Sequence, residues 1–286
     1  MFRSDKTVGR LYVLVATLLW STSGFFAKSP IFEDWGVEER GPMVAFWRVF
    51  FAGIVLLPFA RGIRWRPTLV PLAVSFSSMN ILYILAMVMT TSANAIWMQS
   101  VSPWWAFLFS IWIFHEAFHR RDLISLGFGG LGVGFILFFE MRYGGGQSIT
   151  GSLCAFSSAV AMAGVYVCMR HLRHENGAWL VAFSQLSSAV ILLPWIVYHQ
   201  LFPTPMQLLV LAAFGIVQMA APYILLTQGL KRIGSVEAIT INLLEPVILP
   251  VWVFLAWGEA PAWWTIVGAA CILIGLMLRY FVLKSE

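Results

Sequence analysis

Charged residues are scarce in this sequence: Asp, Glu, Lys and Arg together make up 11% of the 286 residues, whereas hydrophobic residues make up 60%. An ordinary soluble domain has about 25% charged residues and roughly 45 to 50% apolar residues. The shortage of charge therefore excludes a soluble globular domain. It predicts an all-α protein that crosses a membrane several times.

Cysteine is scarce too, and its placement excludes two further kinds of site. Cys154, Cys168 and Cys271 fall in long apolar stretches and have neither the spacing of a disulfide framework nor that of a metal site. We therefore expect no disulfide framework, no bound metal and no cofactor.

Long apolar runs fill most of the chain. A membrane helix needs about 20 mostly apolar residues to cross a hydrocarbon core of roughly 30 Å. Runs of this kind predict ten spans, numbered in chain order, at residues 10–29, 42–60, 68–90, 92–114, 122–140, 149–169, 176–199, 205–229, 235–257 and 261–282. Little of the sequence is left for a domain outside the membrane.

The basic residues indicate the orientation of these spans. With a cytoplasmic N-terminus, Lys28, Arg40 and Arg142 lie outside and Arg48 lies within span two. This bias predicts a multi-pass protein of the inner membrane with both termini in the cytoplasm. It also accounts for the net charge of +5, so we expect lipid and no nucleic acid as a partner. The remaining basic residues lie on the cytoplasmic side: Arg3, Lys6, Arg10, Arg61, Arg64, Arg66, Arg120, Arg121, Arg170, Arg173, Lys231, Arg232, Arg279 and Lys284.

The two halves of the sequence repeat each other. Adding 143 to a position takes Pro103 to Pro246 and Glu116 to Glu259, and span four maps onto span nine without a gap. More loosely, "VAFWRVFFAGIVL" from residue 44 resembles "VAFSQLSSAVILL" from residue 181, and Lys28 parallels Arg170.

This repeat predicts a topology. Because each half has an odd number of spans, the second half must enter the membrane from the opposite side. We predict two inverted five-helix repeats, residues 1–143 and 144–286, around a central cavity, as in transporters that expose one site to each side in turn. The alternative is a duplicated scaffold with no transport role.

Several motifs resemble a known family. The first span reads "LLWSTSGFFAK", the fourth ends in "HEAF", and the ninth contains "LLEPV" and ends in "WGEAP". Together with the paired Pro and Glu positions, they resemble the EamA-type drug/metabolite transporter superfamily, and within it the YddG-type exporters of aromatic amino acids. The resemblance implies a transporter, not an enzyme. It also implies a cavity lined mainly by spans one, three, four, six, eight and nine.

Glu245 is a carboxylate in an apolar span. It lies about ten residues into span nine, roughly 15 Å deep at the rise of a helix. A charge at that depth costs about 2.5 to 3.5 kcal/mol and must face protein or water. Pro103, Pro246 and Pro250 each remove a backbone donor and predict helix breaks. We interpret the Glu-Pro step as part of a water-accessible transport site; the alternative is a structural kink with a protonated Glu.

Arg48 is the basic side chain deepest within a span. It could snorkel outward, reach toward Glu245 or hold a substrate carboxylate. One cation and one anion suit a zwitterion, and aromatic rings offer stacking surfaces and cation–π contacts. Further candidates for the cavity are polar or aromatic residues within the spans: Trp20, Trp47, Asn80, Tyr83, Trp97, Gln99, Ser102, Trp104, Gln185, Gln218, Tyr223 and Asn242.

"HEAFH", residues 115–119, supplies an enzymatic alternative. His115 and His119 with Glu116 match the HExxH pattern of zinc proteases. The pattern adjoins two arginines, no third ligand motif is evident, and the repeat partner Glu259 has no histidine beside it. We interpret the match as incidental.

The sequence thus predicts a carrier of small organic solutes. Amino acids are the foremost candidates, including export of aromatic ones, with rocking of the two halves exposing the cavity alternately. Carriers of drugs or nucleotide sugars are the alternatives within the superfamily, and the oligomeric state is left open.

Overall fold

The computed structural model describes residues 2–115 and 120–278, and these two stretches contain helices and no strands. The expected all-α class is therefore confirmed for the described part of the chain. The α-helices are α1 (Phe2–Trp20), α2 (Ser23–Ala27), α3 (Val37–Leu56), α4 (Leu69–Met89), α5 (Ser92–Gln99), α6 (Ser102–Phe114), α7 (Arg120–Tyr143), α8 (Gly145–His171), α9 (Gly177–His199), α10 (Pro205–Ala213), α11 (Ala221–Leu230), α12 (Ser235–Asn242), α13 (Glu245–Trp257) and α14 (Trp263–Met277).

Eight helical segments of the described chain are long and apolar enough to cross a membrane: Asp5–Ala27, Val37–Phe59, Leu69–Met89, Leu123–Tyr143, Gly145–His171, Gly177–His199, Pro205–Leu230 and Glu237–Trp257. They coincide with eight of the predicted spans. Span four is divided between α5 and α6, and span ten corresponds to α14, whose described part has 15 residues. The count of ten spans stays a prediction.

The outer surface of the helices is apolar. Val190, Leu131 and Leu255 are each about two-thirds exposed, at 67%, 69% and 70%. Large exposed apolar surfaces mark contact with a membrane or a partner. With the eight long apolar segments, they fit a multi-pass membrane protein.

Four spans are interrupted along their length. α1 gives way to α2 after Trp20, α5 to α6 after Gln99, and α12 to α13 after Asn242, whereas a π-helical turn, Phe214–Ala220, separates α10 from α11. Pro103 and Pro246 lie in the first turns of α6 and α13, where a missing N–H costs nothing because that donor has no partner within the helix. Both residues therefore lie where one helix has ended and the next begins.

Pro250 does not mark a break. α13 continues through it from Glu245 to Trp257. Because the helix begins only at Glu245, Pro250 removes a single backbone hydrogen bond close to the start, and the chain does not leave the helical path again.

Helix packing follows the repeat. α4, which is the third span of the first half, packs along α8, the first span of the second half. In the same way α1, the first span of the first half, packs on α11, which belongs to the third span of the second half. α3 packs on α9 and α7 on α14, each pair joining equivalent elements of the two halves. In the last pair the backbones approach closely, because a Cβ atom on Gly132 would lie 2.6 Å from the carbonyl oxygen of Gly268. The division after residue 143 and the opposite orientation of the halves stay predictions.

Candidate functional site

A cavity of about 800 Å³ lies where the interrupted spans meet. Each of the four interruptions contributes to its wall: Trp20 at the end of α1, Ser100 between α5 and α6, Gln218 in the π-helical turn, and Leu243 between α12 and α13. The remaining wall comes mainly from α6 and α8, with smaller parts from α4 and α11 and with Arg48 entering from α3. Because interrupted helices leave backbone groups without helical partners, these walls suit a polar, water-accessible cavity.

Most of the predicted site residues line this cavity. Their presence in the wall is a matter of geometry, and their role in binding stays a prediction. They are Trp20, Arg48, Tyr83, Gln99, Ser102, Pro103, Gln218, Tyr223, Asn242, Glu245 and Pro246.

Three other predicted residues on α5, α6 and α13 face away from it. Trp104 is buried toward α7, where its indole N–H donates to Ser125 Oγ at 2.9 Å. Trp97 and Pro250 line a second, smaller cavity of about 340 Å³ beside α14. Their predicted depth in the membrane did not indicate which face of the helix they occupy.

Trp47, Gln185 and Asn80 also stand apart from the cavity wall. Trp47 packs on Phe51 with ring centroids 5.8 Å apart. Gln185, on α9, is fully buried, and neither its Oε1 nor its Nε2 has a hydrogen-bond partner among the described residues. Asn80 lies one layer behind the wall and contacts Arg48.

Arg48 does not snorkel. Its side chain is buried, and Nε and Nη2 both donate to Asn80 Oδ1, at 2.9 and 2.6 Å. Asn80 is fixed in turn, because its Nδ2 donates to the Ala45 carbonyl at 3.0 Å and to Ser188 Oγ at 3.3 Å. Nη1 of Arg48 has no hydrogen-bond partner in the described part of the chain. This residue of the cavity wall therefore carries a buried donor without a partner among the described residues.

Glu245 is the first residue of α13. At a helix N-terminus the free N–H groups and the helix dipole stabilise a negative charge. Among the described residues no ion pair joins Glu245 to Arg48, so the third possibility for Arg48, a direct bridge to this carboxylate, is not the arrangement seen. The wall thus includes Arg48 and Glu245, which do not neutralise each other by contact, and a second cation, Arg170.

Aromatic and amide groups complete the wall. The rings of Trp20 and Tyr223 meet edge to face with centroids 5.3 Å apart, and Tyr83 shares a hydrogen bond of 3.0 Å with Ser23 Oγ. Gln218 donates to the Trp20 carbonyl at 3.4 Å, whereas its Oε1 has no partner among the described residues. The wall therefore includes rings for stacking and a buried amide acceptor without a partner among the described residues.

A polar cluster that the sequence analysis did not single out lies where α2, the α4–α5 corner and the loop before α14 meet. Lys28 Nζ lies 2.8 Å from Glu259 Oε2 and donates to the Thr90 carbonyl at 2.7 Å. The other carboxylate oxygen of Glu259 accepts from the Ser92 backbone N–H at 2.7 Å. The repeat had paired Lys28 with Arg170 and Glu259 with Glu116, which was the available signal.

A second carboxylate, the buried Glu140, lies beside this cluster. It accepts hydrogen bonds from Asn94 at 2.9 Å, from Trp264 at 3.0 Å and from Ser148. Ser148 also bonds to the Thr90 hydroxyl at 2.9 Å. Glu140 thus ties the junction between the two halves to the corner that Lys28 contacts.

The HExxH pattern is only partly visible. His115 ends α6 in a left-handed conformation with φ of 54°, and residues 116–119, which include Glu116 and His119, lie outside the described residues. Elsewhere in the described chain, no group of three or more His, Cys, Asp and Glu side chains is placed to hold a metal ion.

Comparison with known proteins agrees with this architecture. An uncharacterized transporter of Archaeoglobus fulgidus is 27% identical over 278 residues, which cover 95% of this chain and 96% of the relative. A solved crystal structure of another protein superimposes with a TM-score of 0.66 at 18% identity, covering 98% of this chain and 100% of the other, a likeness that shows the fold alone.

The model of the EamA-like transporter family matches the sequence twice, at residues 7–138 and at residues 149–281. The two matches correspond to the two halves recognised in the sequence, and they confirm that the family unit occurs twice. Since the matches cover nearly the whole sequence, this multi-pass membrane protein belongs to the EamA-like transporter family.

Proposed function

We propose that this protein carries small zwitterionic solutes across the inner membrane, foremost amino acids, and that aromatic amino acids are exported. Binding takes place in the 800 Å³ cavity, which opens alternately to the two sides of the membrane. Ligand pockets have volumes of about 300 to 1,000 Å³, so the cavity has room for one aromatic amino acid.

The observation that carries this proposal is the pair of opposite charges in one cavity. Arg48 offers Nη1, a donor without a partner among the described residues, and a substrate carboxylate supplies the acceptor it lacks. Glu245 and the free Oε1 of Gln218 offer acceptors for a substrate ammonium group. A nucleotide sugar has two phosphate charges, which the carboxylate of Glu245 in the wall would repel.

The aromatic wall supports the second part of the proposal. Trp20, Tyr83 and Tyr223 line the same cavity as the two charges. Their rings supply stacking surface for an aromatic substrate and cation–π contact for its ammonium group.

Alternating access is supported by the interruptions and the repeat. Transporters with inverted repeats place their site near the middle of the membrane, between discontinuous helices of the two halves. Here α6 and α13 begin at the cavity and occupy repeated positions, as Pro103 and Pro246 indicate. We infer ten spans, opposed halves and cytoplasmic termini on this basis.

A matched substrate panel in proteoliposomes tests the proposal. Tryptophan should be transported faster than tryptamine, which lacks the carboxylate, and faster than indole propionate, which lacks the ammonium group. An aliphatic amino acid should be transported more slowly than tryptophan. Preferred transport of tryptamine or of a cationic drug identifies a drug carrier, and preferred transport of a nucleotide sugar identifies that class; either result overturns the proposal.

A further inference from the structure

The cavity is bounded differently at its two ends. Its wall extends along α8 to Arg170 and along α6 to Ser110, near the ends of these helices. Lys28, Thr90 and Glu259 belong to the polar cluster at the opposite end and are not part of the wall. We call these two ends the Arg170 end and the Lys28 end.

Tight packing separates the cavity from the Lys28 end. A Cβ atom on Gly24 would lie 2.6 Å from Val253 Cγ2, so the backbone of α2 packs directly against a side chain of α13. One turn further out, the Trp257 indole N–H donates to the Phe25 carbonyl at 3.0 Å, and the two rings stack with centroids 5.3 Å apart. Both contacts join the first half of the protein to the second half.

The Lys28–Glu259 ion pair lies at the outer edge of this packing and also joins the two halves. Its members are each about one-fifth exposed, at 20% and 22%, so the pair is reached by water and can separate without burying an isolated charge. Both charges also hold backbone groups of the α4–α5 corner, the Thr90 carbonyl and the Ser92 N–H. The pair therefore connects α2, the α4–α5 corner and the loop before α14.

We propose that Lys28 and Glu259 form a gate that holds the Lys28 end of the cavity closed and that separates when this end opens. The proposal rests on the alternating access of the proposed function, but not on the identity of the substrate. Neither residue touches the cavity, so both act by positioning α2 and the loop before α14. The repeat supports the assignment, because Arg170 occupies the position equivalent to Lys28 and lines the opposite end.

Accessibility of a cysteine in the cavity tests the gate. In a full-length variant with Cys154, Cys168 and Cys271 replaced by Ser, Ala106→Cys in the wall is labelled by a membrane-impermeant maleimide, in right-side-out and in inverted vesicles. Lys28→Ala or Glu259→Gln should increase labelling from the Lys28 side roughly two- to fivefold. Loss of a partly exposed ion pair shifts an equilibrium between a closed and an open state by about this factor. Labelling from the Arg170 side should fall.

Two further variants separate a gate from a general loss of stability. The charge exchange Lys28→Glu with Glu259→Lys should return labelling toward the parent level, although the bonds to the Thr90 carbonyl and from the Ser92 N–H are not restored. Arg66→Ala breaks another ion pair with an N–O distance of 2.8 Å, Arg66–Glu175, and should leave labelling from the Lys28 side unchanged.

Unchanged labelling in both single variants, or equal increases in the Arg66 control, overturns the gate. Because the label reports opening without substrate, the two proposals fail separately. A clear shift in labelling with no amino acid transport removes only the proposed substrate, and amino acid transport with no shift removes only the gate.

Discussion

At the residue scale, Arg48 is a buried cation whose side chain is held in place by hydrogen bonds. Removing a guanidinium from water is costly unless its donors are satisfied, and Asn80 satisfies two of its three nitrogen atoms. The same contact fixes the direction of the side chain, because Asn80 is itself anchored to α3 and α9. Asn80 therefore orients Arg48.

Asn80→Asp tests this role. The new carboxylate would pair with Arg48 and compete with the substrate carboxylate for its charge. We expect KM to rise roughly 10- to 100-fold, the value of one hydrogen bond to a charged group, with a smaller change in kcat. Initial rates of uptake at several substrate concentrations measure both constants.

Ser188→Ala is the matched control for this change, since it removes only one bond to Asn80 and leaves Arg48 its acceptor. A fall in kcat with an unchanged KM in Asn80→Asp would show that Asn80 does not act through substrate binding.

Glu245→Gln tests the other charge of the cavity. The change keeps size and hydrogen bonding but removes the titratable charge, so we expect the rate of transport to fall about tenfold or more while the protein folds normally. The initial rate is measured in proteoliposomes across a pH series. Glu237→Gln in α12, whose partner Arg10 is exposed, is the control. Wild-type rates and an unchanged pH profile would leave Glu245 a structural residue.

At the element scale, some of the breaks in the spans could be predicted from the sequence and others could not. Those at Pro103 and Pro246 were predicted, because proline removes a donor. The break after Trp20 was not, since it has no proline; there the hydroxyls of Ser21 and Thr22 bond to carbonyls three residues back and compete with the helix. The π-helical turn was also missed, although Pro222 has no N–H to give to the carbonyl of Gln218.

Pro246→Ala should join α12 and α13 more continuously by restoring a backbone donor. We expect transport to fall about tenfold, since a free backbone section at the cavity is lost, and thermal stability to be kept or raised. Initial transport rate and Tm are measured together. Pro250→Ala is the matched control inside α13, and it should raise Tm with little effect on transport. Equal effects of the two changes would contradict a special role for the break.

At the scale of the whole molecule, the sequence predicted the helical class and the two repeated halves because both depend on patterns along the chain. It did not predict which predicted side chains meet in the cavity, because depth does not fix direction around a helix. Trp97 and Gln99 are neighbours in α5, but at about 100° per residue they point to different faces. Gln99 lines the main cavity and Trp97 the smaller one.

The orientation of the halves is tested by labelling from each side. Arg64→Cys, in the exposed loop before α4, should react only from the cytoplasmic side, and Gln147→Cys, at the junction of the halves, only from the opposite side. A membrane-impermeant maleimide applied to intact cells and to inverted vesicles measures both. Labelling of the two positions from the same side would contradict the predicted topology.

Arg48 and Glu245 come from different halves, and each has an uncharged counterpart in the other half. Glu245 repeats Ser102, and the match between the segments that start at residues 44 and 181 places Gln185 opposite Arg48. A symmetric dimer of the first half would bring together two arginines, and a dimer of the second half two glutamates. Joining diverged copies in one chain thus places Arg48 and Glu245 in one wall, an electrical polarity that would give the proposed zwitterionic substrate a single preferred orientation.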